Sequence, residues 1–100
     1  MDPAPDINIS DVVVSTAGRD KGQWFYVIHE EPMYLYLANG RDRTLDKPKL
    51  KKRKHIQKVL RSETRVAEKL RTGDKVLNGE LRRDLASLSR DMQSDNLGGY

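Results

Sequence analysis

The sequence predicts a mainly β domain with C-terminal α structure, in which a small barrel of short strands is followed by two short helices. Short β-branched and aromatic runs alternate with turns that contain glycine or proline, and the period of the apolar residues becomes helical beyond Ile56. Only 36% of the 100 residues are apolar, whereas compact chains typically hold about 45–50%. The core must therefore be small.

Three apolar runs give the clearest strand signals. Val12–Val14 is β-branched, Trp24–Ile28 is aromatic and branched, and Tyr34–Leu37 alternates at period two. The spacing predicts a fourth strand near Arg43–Leu45 and a short fifth strand near His55–Ile56. Five short strands of this kind are typical of a small closed or partly open barrel.

Turn residues separate these strands. Gly18–Gly22 contains two glycines that tolerate positive φ, Glu30–Pro32 fixes a second turn, and Asn39-Gly40 is a strong turn dipeptide. The strands are therefore predicted to follow one another as an antiparallel meander.

The C-terminal part has a helical period. Ser62 can cap a helix that runs to about Arg71, before Thr72-Gly73 ends it. Asn78 can cap a second helix that runs to about Asp91, with one apolar stripe that must be buried. The stripe consists of Leu81, Leu85, Leu88 and Met92.

Alternation along the strands predicts which side chains face the barrel interior. Those expected inside are Val12, Val14, Phe25, Val27, Leu35 and Leu37. Those expected outside are Val13, Trp24, Tyr26, Tyr34 and Tyr36.

The outer aromatic residues either stack on RNA or receive the apolar stripe of the second helix. We favour the helix, since each apolar surface then covers the other. A third alternative is that the stripe pairs two protomers.

The chain is expected to divide into four segments. These are a disordered leader at 1–6, the barrel with a basic loop at 7–58, a helical extension at 59–92, and a flexible tail at 93–100.

The basic residues are concentrated in one region. Arg41–Arg61 contains ten Lys or Arg and two Asp, a net charge of +8, although the whole chain carries only +4. Such density favours nucleic acid, because a Lys or Arg that neutralises a phosphate releases counterions. The alternative is a solvated loop that only keeps the chain soluble.

Several ordered elements resemble the KOW motif. They are the valine strand and turn within Ser10–Ile28, the strand that ends in glycine at Leu35–Gly40, and a lysine-rich run that closes on His55-Ile56. The chain is similar to the KOW-domain ribosomal proteins of the archaeal and eukaryotic large subunit, and to short bacterial KOW-domain RNA-binding proteins. It departs from them at Ser10, where these proteins usually have glycine. The resemblance implies an SH3-like barrel that binds RNA in ribosomes or translation.

Two segments form the candidate RNA-binding site. The glycines of the Gly18–Gly22 turn let the backbone approach a ligand, and the basic loop Lys47–Lys54 can follow a phosphodiester chain. For the turn, the alternative is a plain hairpin with solvated charges. The resemblance places the turn on the RNA-facing surface. The candidate residues are Gly18, Arg19, Lys21, Gly22, Arg41, Arg43, Lys47, Lys49, Lys51, Lys52, Arg53, Lys54 and His55.

The sequence offers no catalytic or metal-binding pattern. His29-Glu30-Glu31 lacks the paired histidines of a metalloprotease helix, and the chain contains no cysteine. We therefore expect a binding protein, not an enzyme, with no cofactor. The apolar runs are too short to cross a bilayer, so we expect a cytoplasmic protein without a membrane partner.

The expected partner is RNA, in particular rRNA of the large ribosomal subunit, with ribosomal proteins as further neighbours. Two alternatives remain open. The aromatic face of the barrel could bind protein, or the chain could be a KOW factor associated with transcription.

Overall fold

A computed structural model describes residues 6–98, with side chains described as far as residue 92. In this part of the chain, five strands precede two α-helices, and a 3-10 turn at Arg53–His55 separates the last two strands. The elements are β1 (Asp11–Ser15), β2 (Trp24–Glu30), β3 (Tyr34–Ala38), β4 (Lys49–Lys52), β5 (Ile56–Arg61), α1 (Arg65–Thr72) and α2 (Asn78–Gly98).

The strands form one antiparallel sheet in the order β4-β3-β2-β1-β5. The first four strands therefore form the predicted meander, and β5 returns to pair with β1. This arrangement confirms a mainly β domain with C-terminal helices.

One face of the sheet encloses the main apolar core. The two helices pack against a separate cluster of side chains, yet the core residues are almost completely shielded from solvent. A flat sheet could not cover this face without helices, so the sheet must curve around it, as in a small barrel. The core consists of Ile7, Val13, Phe25, Val27, Leu35, Leu37 and Ile56.

The predicted orientation of β1 is wrong, whereas that of β2 and β3 is confirmed. Val13 lies in the core opposite Phe25, and Val12 lies on the helical side opposite Tyr26. Val14, also expected inside, is only half-buried. Three consecutive valines show no contrast in polarity, so the sequence cannot set the phase of the alternation. Pairing with β2 sets it, with a bulge between Val12 and Val13 on the side of β5.

The predicted position of the fourth strand is also wrong, and the fifth strand begins where it was expected but is longer. The fourth strand is Lys49–Lys52, whereas Arg43–Leu45 lies in a turn. The fifth strand extends from Ile56 to Arg61, beyond the expected barrel boundary at 58. The segment Lys47–Lys54 is therefore mostly strand and 3-10 turn, and it is not a free loop. An edge strand accepts an exposed lysine such as Lys52, because its charged end reaches water while its aliphatic stem covers the sheet.

The helices begin and end near the predicted residues, with two differences. Thr64, not Ser62, caps α1 by accepting a hydrogen bond from the Ala67 N–H, and Gly73 ends the helix at φ 80°. The second helix begins at Asn78 as predicted but continues to Gly98, so it overlaps the expected tail at 93–100. Of the expected leader, residues 1–5 lie outside the described part of the chain.

The helices pack on the outer face of the sheet through a helix-facing cluster. Trp24 and Leu88 pack against its edge. Tyr26 is completely buried, which confirms for this residue that the aromatic face receives the helices, whereas Trp24 is only partly buried against the cluster. Tyr34 and Tyr36 stay half-buried outside the cluster. The helix-facing cluster consists of Val12, Tyr26, Ala38, Val66, Ala67, Leu81 and Leu85.

A buried hydroxyl network fastens α2 to the sheet. The Tyr26 hydroxyl donates a hydrogen bond to a carboxylate oxygen of Asp84, and Thr64 Oγ1 donates to the same oxygen at 2.8 Å. Ser62 Oγ lies 2.8 Å from the Tyr26 hydroxyl. Burial, together with the Asp84 carboxylate, raises the pKa of Tyr26 to about 12. The neutral phenol is therefore favoured in the folded protein.

This raised pKa predicts a loss of stability in alkali. An unfolded tyrosine ionises near pH 10, whereas folded Tyr26 keeps its proton to about pH 12. The unfolded state therefore binds fewer protons in this window, so stability decreases as the pH rises from 10 to 12, by roughly 2–3 kcal/mol. Urea unfolding at several pH values measures the decrease. The Tyr26→Phe variant should lack this part of it, and an equal decrease in both proteins would contradict the assignment.

The connection between β3 and β4 packs against the first turn of α2. The Leu45 N–H donates a hydrogen bond of 2.8 Å to Asn78 Oδ1. Gly40 has φ 75°, and a Cβ atom at this position would collide with the Asn78 carbonyl oxygen. Only glycine permits both this backbone conformation and this close approach.

Substitution of Gly40 should therefore be unusually destabilising. We expect Gly40→Ala to lower the free energy of unfolding by about 3 kcal/mol, from positive φ and overpacking together. Gly73→Ala is the matched control, because Gly73 has φ 80° but open space where the Cβ would lie. We expect it to cost about 1 kcal/mol. Equal losses in urea unfolding would show that α2 does not press against Gly40.

Candidate nucleic-acid interface

The Gly18–Gly22 turn joins β1 to β2 and needs both of its glycines. Gly18 and Gly22 have φ values of 85° and 89°, in the left-handed region that other residues rarely adopt. The Gly22 N–H donates to the Ser15 carbonyl at 2.8 Å, and the Lys21 N–H donates to the Gly18 carbonyl at 3.2 Å. Arg19 and Lys21 are exposed at its tip. The turn thus presents two cations on a well-defined backbone.

Asp20 fastens this turn to β4. Its carboxylate accepts hydrogen bonds of 2.7 Å from both Ser15 Oγ and Lys51 Nζ, and Lys49 Nζ lies 3.6 Å away. Lys51 Nζ also donates to the Ala17 carbonyl at 2.6 Å. The Lys51 side chain is only 9% exposed, so its charge is directed inward at the turn.

The Asp20 carboxylate remains ionised at neutral pH. Burial alone would raise its pKa, but the hydrogen bonds from Lys51 and Ser15 and the charges of Lys51 and Lys49 outweigh burial and lower the pKa below its usual value. A charged carboxylate is thus retained between two lysines. Lys51 is neutralised within the protein, in a place where no phosphate could reach it without displacing Asp20.

Neighbouring lysines of β4 should therefore differ in their effect on stability. Lys51→Met leaves the buried Asp20 carboxylate without its closest cation, and we expect a loss of about 3 kcal/mol in the free energy of unfolding. Lys52→Met is the matched control, because Lys52 is exposed on the same strand. We expect a change within about 0.5 kcal/mol for it. Urea unfolding distinguishes the two, and similar stability for both variants would exclude a structural role for Lys51.

Arg53 follows β4 directly and also contacts other residues of the protein. Its Nε donates to the Glu31 carbonyl at 2.9 Å, and its Nη1 donates to the Ile7 carbonyl at 3.0 Å. The carboxylate of Glu30 lies 4.0 Å from Nη2. Arg53 therefore connects the β2–β3 turn to the segment that precedes β1.

Apart from the two glycines of the turn, the predicted site residues thus separate into two groups. Lys49, Lys51 and Arg53 contact carboxylates or carbonyls of the protein, and His55 is half-buried with its carbonyl bonded to the Thr16 N–H at 2.9 Å. The second group, which we call the exposed cations, forms no ion pair within the described residues. The exposed cations are Arg19, Lys21, Arg41, Arg43, Lys47, Lys52 and Lys54.

A groove of about 540 Å³ connects the turn with the β3–β4 connection and α2. Gly22 and Trp24 line one side, and Arg41 and Arg82 both border the groove. Sequence reasoning missed Arg82, because a cation beside an apolar stripe looks like any solvent-facing residue of an amphipathic helix. Only the docking of α2 on the sheet brings Arg82 near the predicted site.

No family model and no curated protein matches the chain. The resemblance to KOW-domain proteins therefore depends only on the sequence elements described above and on their order along the chain. Within residues 6–98, no helix is both long and apolar enough to cross a membrane. The side chains of the described residues also form no cluster of three or more potential metal ligands.

Proposed function

We propose that this protein is an RNA-binding protein of the KOW type, with an SH3-like barrel that docks on the phosphate backbone without catalytic turnover. The observation that carries the proposal is the set of exposed cations, which form no salt bridge within the described residues, while their neighbours Lys49, Lys51 and Arg53 do. The partner we propose is rRNA of the large ribosomal subunit, in the cytoplasm.

The arrangement of the cations favours a polyanion. Like charges that lack internal partners repel one another, and a phosphodiester chain removes this repulsion while releasing counterions. Asp20 holds the turn that carries Arg19 and Lys21 against β4, so the backbone beneath these charges needs little ordering when they bind. Contacts of this kind position the protein on RNA and do not read the base sequence.

The backbone at Ser10 supports the proposed relationship to KOW proteins. Ser10 has φ 75°, a conformation that favours glycine, and glycine is what the resembling proteins usually carry there. Arg71 Nη1 donates to Ser10 Oγ at 2.8 Å and to the Ser62 carbonyl at 2.9 Å. The chain thus has the positive φ that favours glycine at this position although the residue is serine, and Arg71 of α1 holds the serine side chain by a hydrogen bond.

The structure gives less support to a protein-binding aromatic face. Tyr26 is completely buried, and Trp24 packs against the helix-facing cluster. Tyr36 makes an edge contact with His29, at 5.1 Å between ring centroids. Leu81 and Leu85 are also buried within the chain, so a dimer formed through the whole stripe would require α2 to leave the sheet.

The proposal predicts that charge reversal at the turn weakens ribosome binding. Arg19→Glu combined with Lys21→Glu should reduce co-sedimentation with ribosomes. The log-log salt slope of RNA affinity should also become shallower, by about one for each phosphate that the variant no longer neutralises. Both residues are exposed, so the fold should persist.

The matched control is Arg65→Glu combined with Lys75→Glu, which changes the net charge equally at exposed positions in and just after α1. We expect it to bind nearly as the wild type does. Equal losses for both double variants would indicate a general charge effect, and wild-type binding that does not respond to salt would contradict phosphate docking.

A further inference from the structure

We propose that the groove between the Gly18–Gly22 turn and α2 accepts a single unpaired nucleotide of the bound RNA. Its base would stack on Trp24, and its phosphate would lie between Arg41 and Arg82. This inference rests on the proposed function and adds to it a preference for single-stranded RNA over duplex RNA.

The groove has the size and the mixed lining of a small-ligand site. Its volume of about 540 Å³ lies within the range of roughly 300–1,000 Å³ that is usual for such sites. Trp24, Leu85 and Met92 provide apolar surface, and the two arginines provide charge. A nucleotide combines the same two properties in one unit, a flat apolar base and an anionic phosphate.

The charges of the groove are suited to a phosphate. Among the residues whose side chains are described, its lining includes two arginines and no carboxylate. Neither arginine side chain is engaged by an ion pair within the described residues. Guanidinium groups bind phosphate oxygens through two parallel hydrogen bonds. Asn39 Oδ1 accepts hydrogen bonds from the backbone N–H groups of Arg41 and Arg43, at 2.9 and 3.0 Å. These bonds fix the backbone that carries Arg41.

Trp24 is the residue of the groove that favours an unpaired nucleotide over other anions. It is half-buried and is one of the residues that line the groove. Stacking on an aromatic side chain stabilises an unpaired base by about 1–3 kcal/mol, whereas the bases of a duplex are already stacked on one another. An acidic peptide could satisfy the arginines but would leave this aromatic surface without a matching flat group.

The single tryptophan of the chain makes the test direct. Trp24 fluorescence should decrease when the full chain binds a single-stranded oligoribonucleotide on the order of eight nucleotides long. A duplex of the same length, bound through its phosphates, should leave the fluorescence nearly unchanged. Anisotropy of end-labelled RNA measures binding separately in both cases.

Substitutions at the surface of α2 test the groove without disturbing the core. Ala86 is exposed and lines the groove one helical turn after Arg82, so Ala86→Glu places a carboxylate beside this arginine. We expect about tenfold weaker binding of the single strand and loss of the fluorescence change, with duplex binding little affected. Two controls should bind as the wild type does. Ala86→Gln has similar size without the charge, and Ser87→Glu has the charge but borders a different groove.

The outcomes separate this inference from the proposed function. If neither RNA binds at low salt, the proposed function itself fails. If RNA binds but Trp24 fluorescence does not respond to the single strand, or Ala86→Glu binds as Ala86→Gln does, the groove is not a nucleotide site although RNA docking stands. A fluorescence decrease caused by an acidic peptide and not by RNA would also overturn the inference.

Discussion

The ion pair between Lys51 and Asp20 is the contact on which the basic surface depends. It lets a lysine-rich segment serve as a strand, because the lysine that points inward finds a buried carboxylate. It also holds the Gly18–Gly22 turn against β4, with Ser15 as a second donor to Asp20. Without it, β4 would still pair with β3, but the turn that carries Arg19 and Lys21 would lose its hydrogen-bonded connection to β4. One internal pair thus orders several charges that have no internal partner.

The C-terminal helices shape this surface from the other side. The buried contact of Tyr26 with Asp84 fixes α2 on the sheet, and the close approach at Gly40 fixes the β3–β4 connection on α2. As a result, Arg41 and Arg82 border the same groove, although they lie far apart in the sequence. The helical extension is therefore part of the proposed binding surface as well as a cover for the outer face of the sheet.

The sequence predicted those features that depend on local patterns. Alternation placed Phe25 and Leu35 in the core, and Gly73 marked the end of α1. Prediction from the sequence failed where local patterns carry no information. The valines of β1 look alike from both faces, and a lysine-rich strand resembles a solvated loop until Asp20 is seen to neutralise Lys51. Arg82 was missed because its role depends on tertiary packing alone.

The central claim is that the lysines among the exposed cations face RNA, while Lys51 stabilises the fold. Chemical acetylation of the folded protein, read residue by residue with and without RNA, measures this division directly. Lys21, Lys52 and Lys54 should react in the free protein and become protected by RNA, whereas Lys51 should react slowly in both states and Lys75 equally in both. Rapid modification of Lys51, or protection of Lys75 while the exposed lysines stay reactive, would contradict the claim.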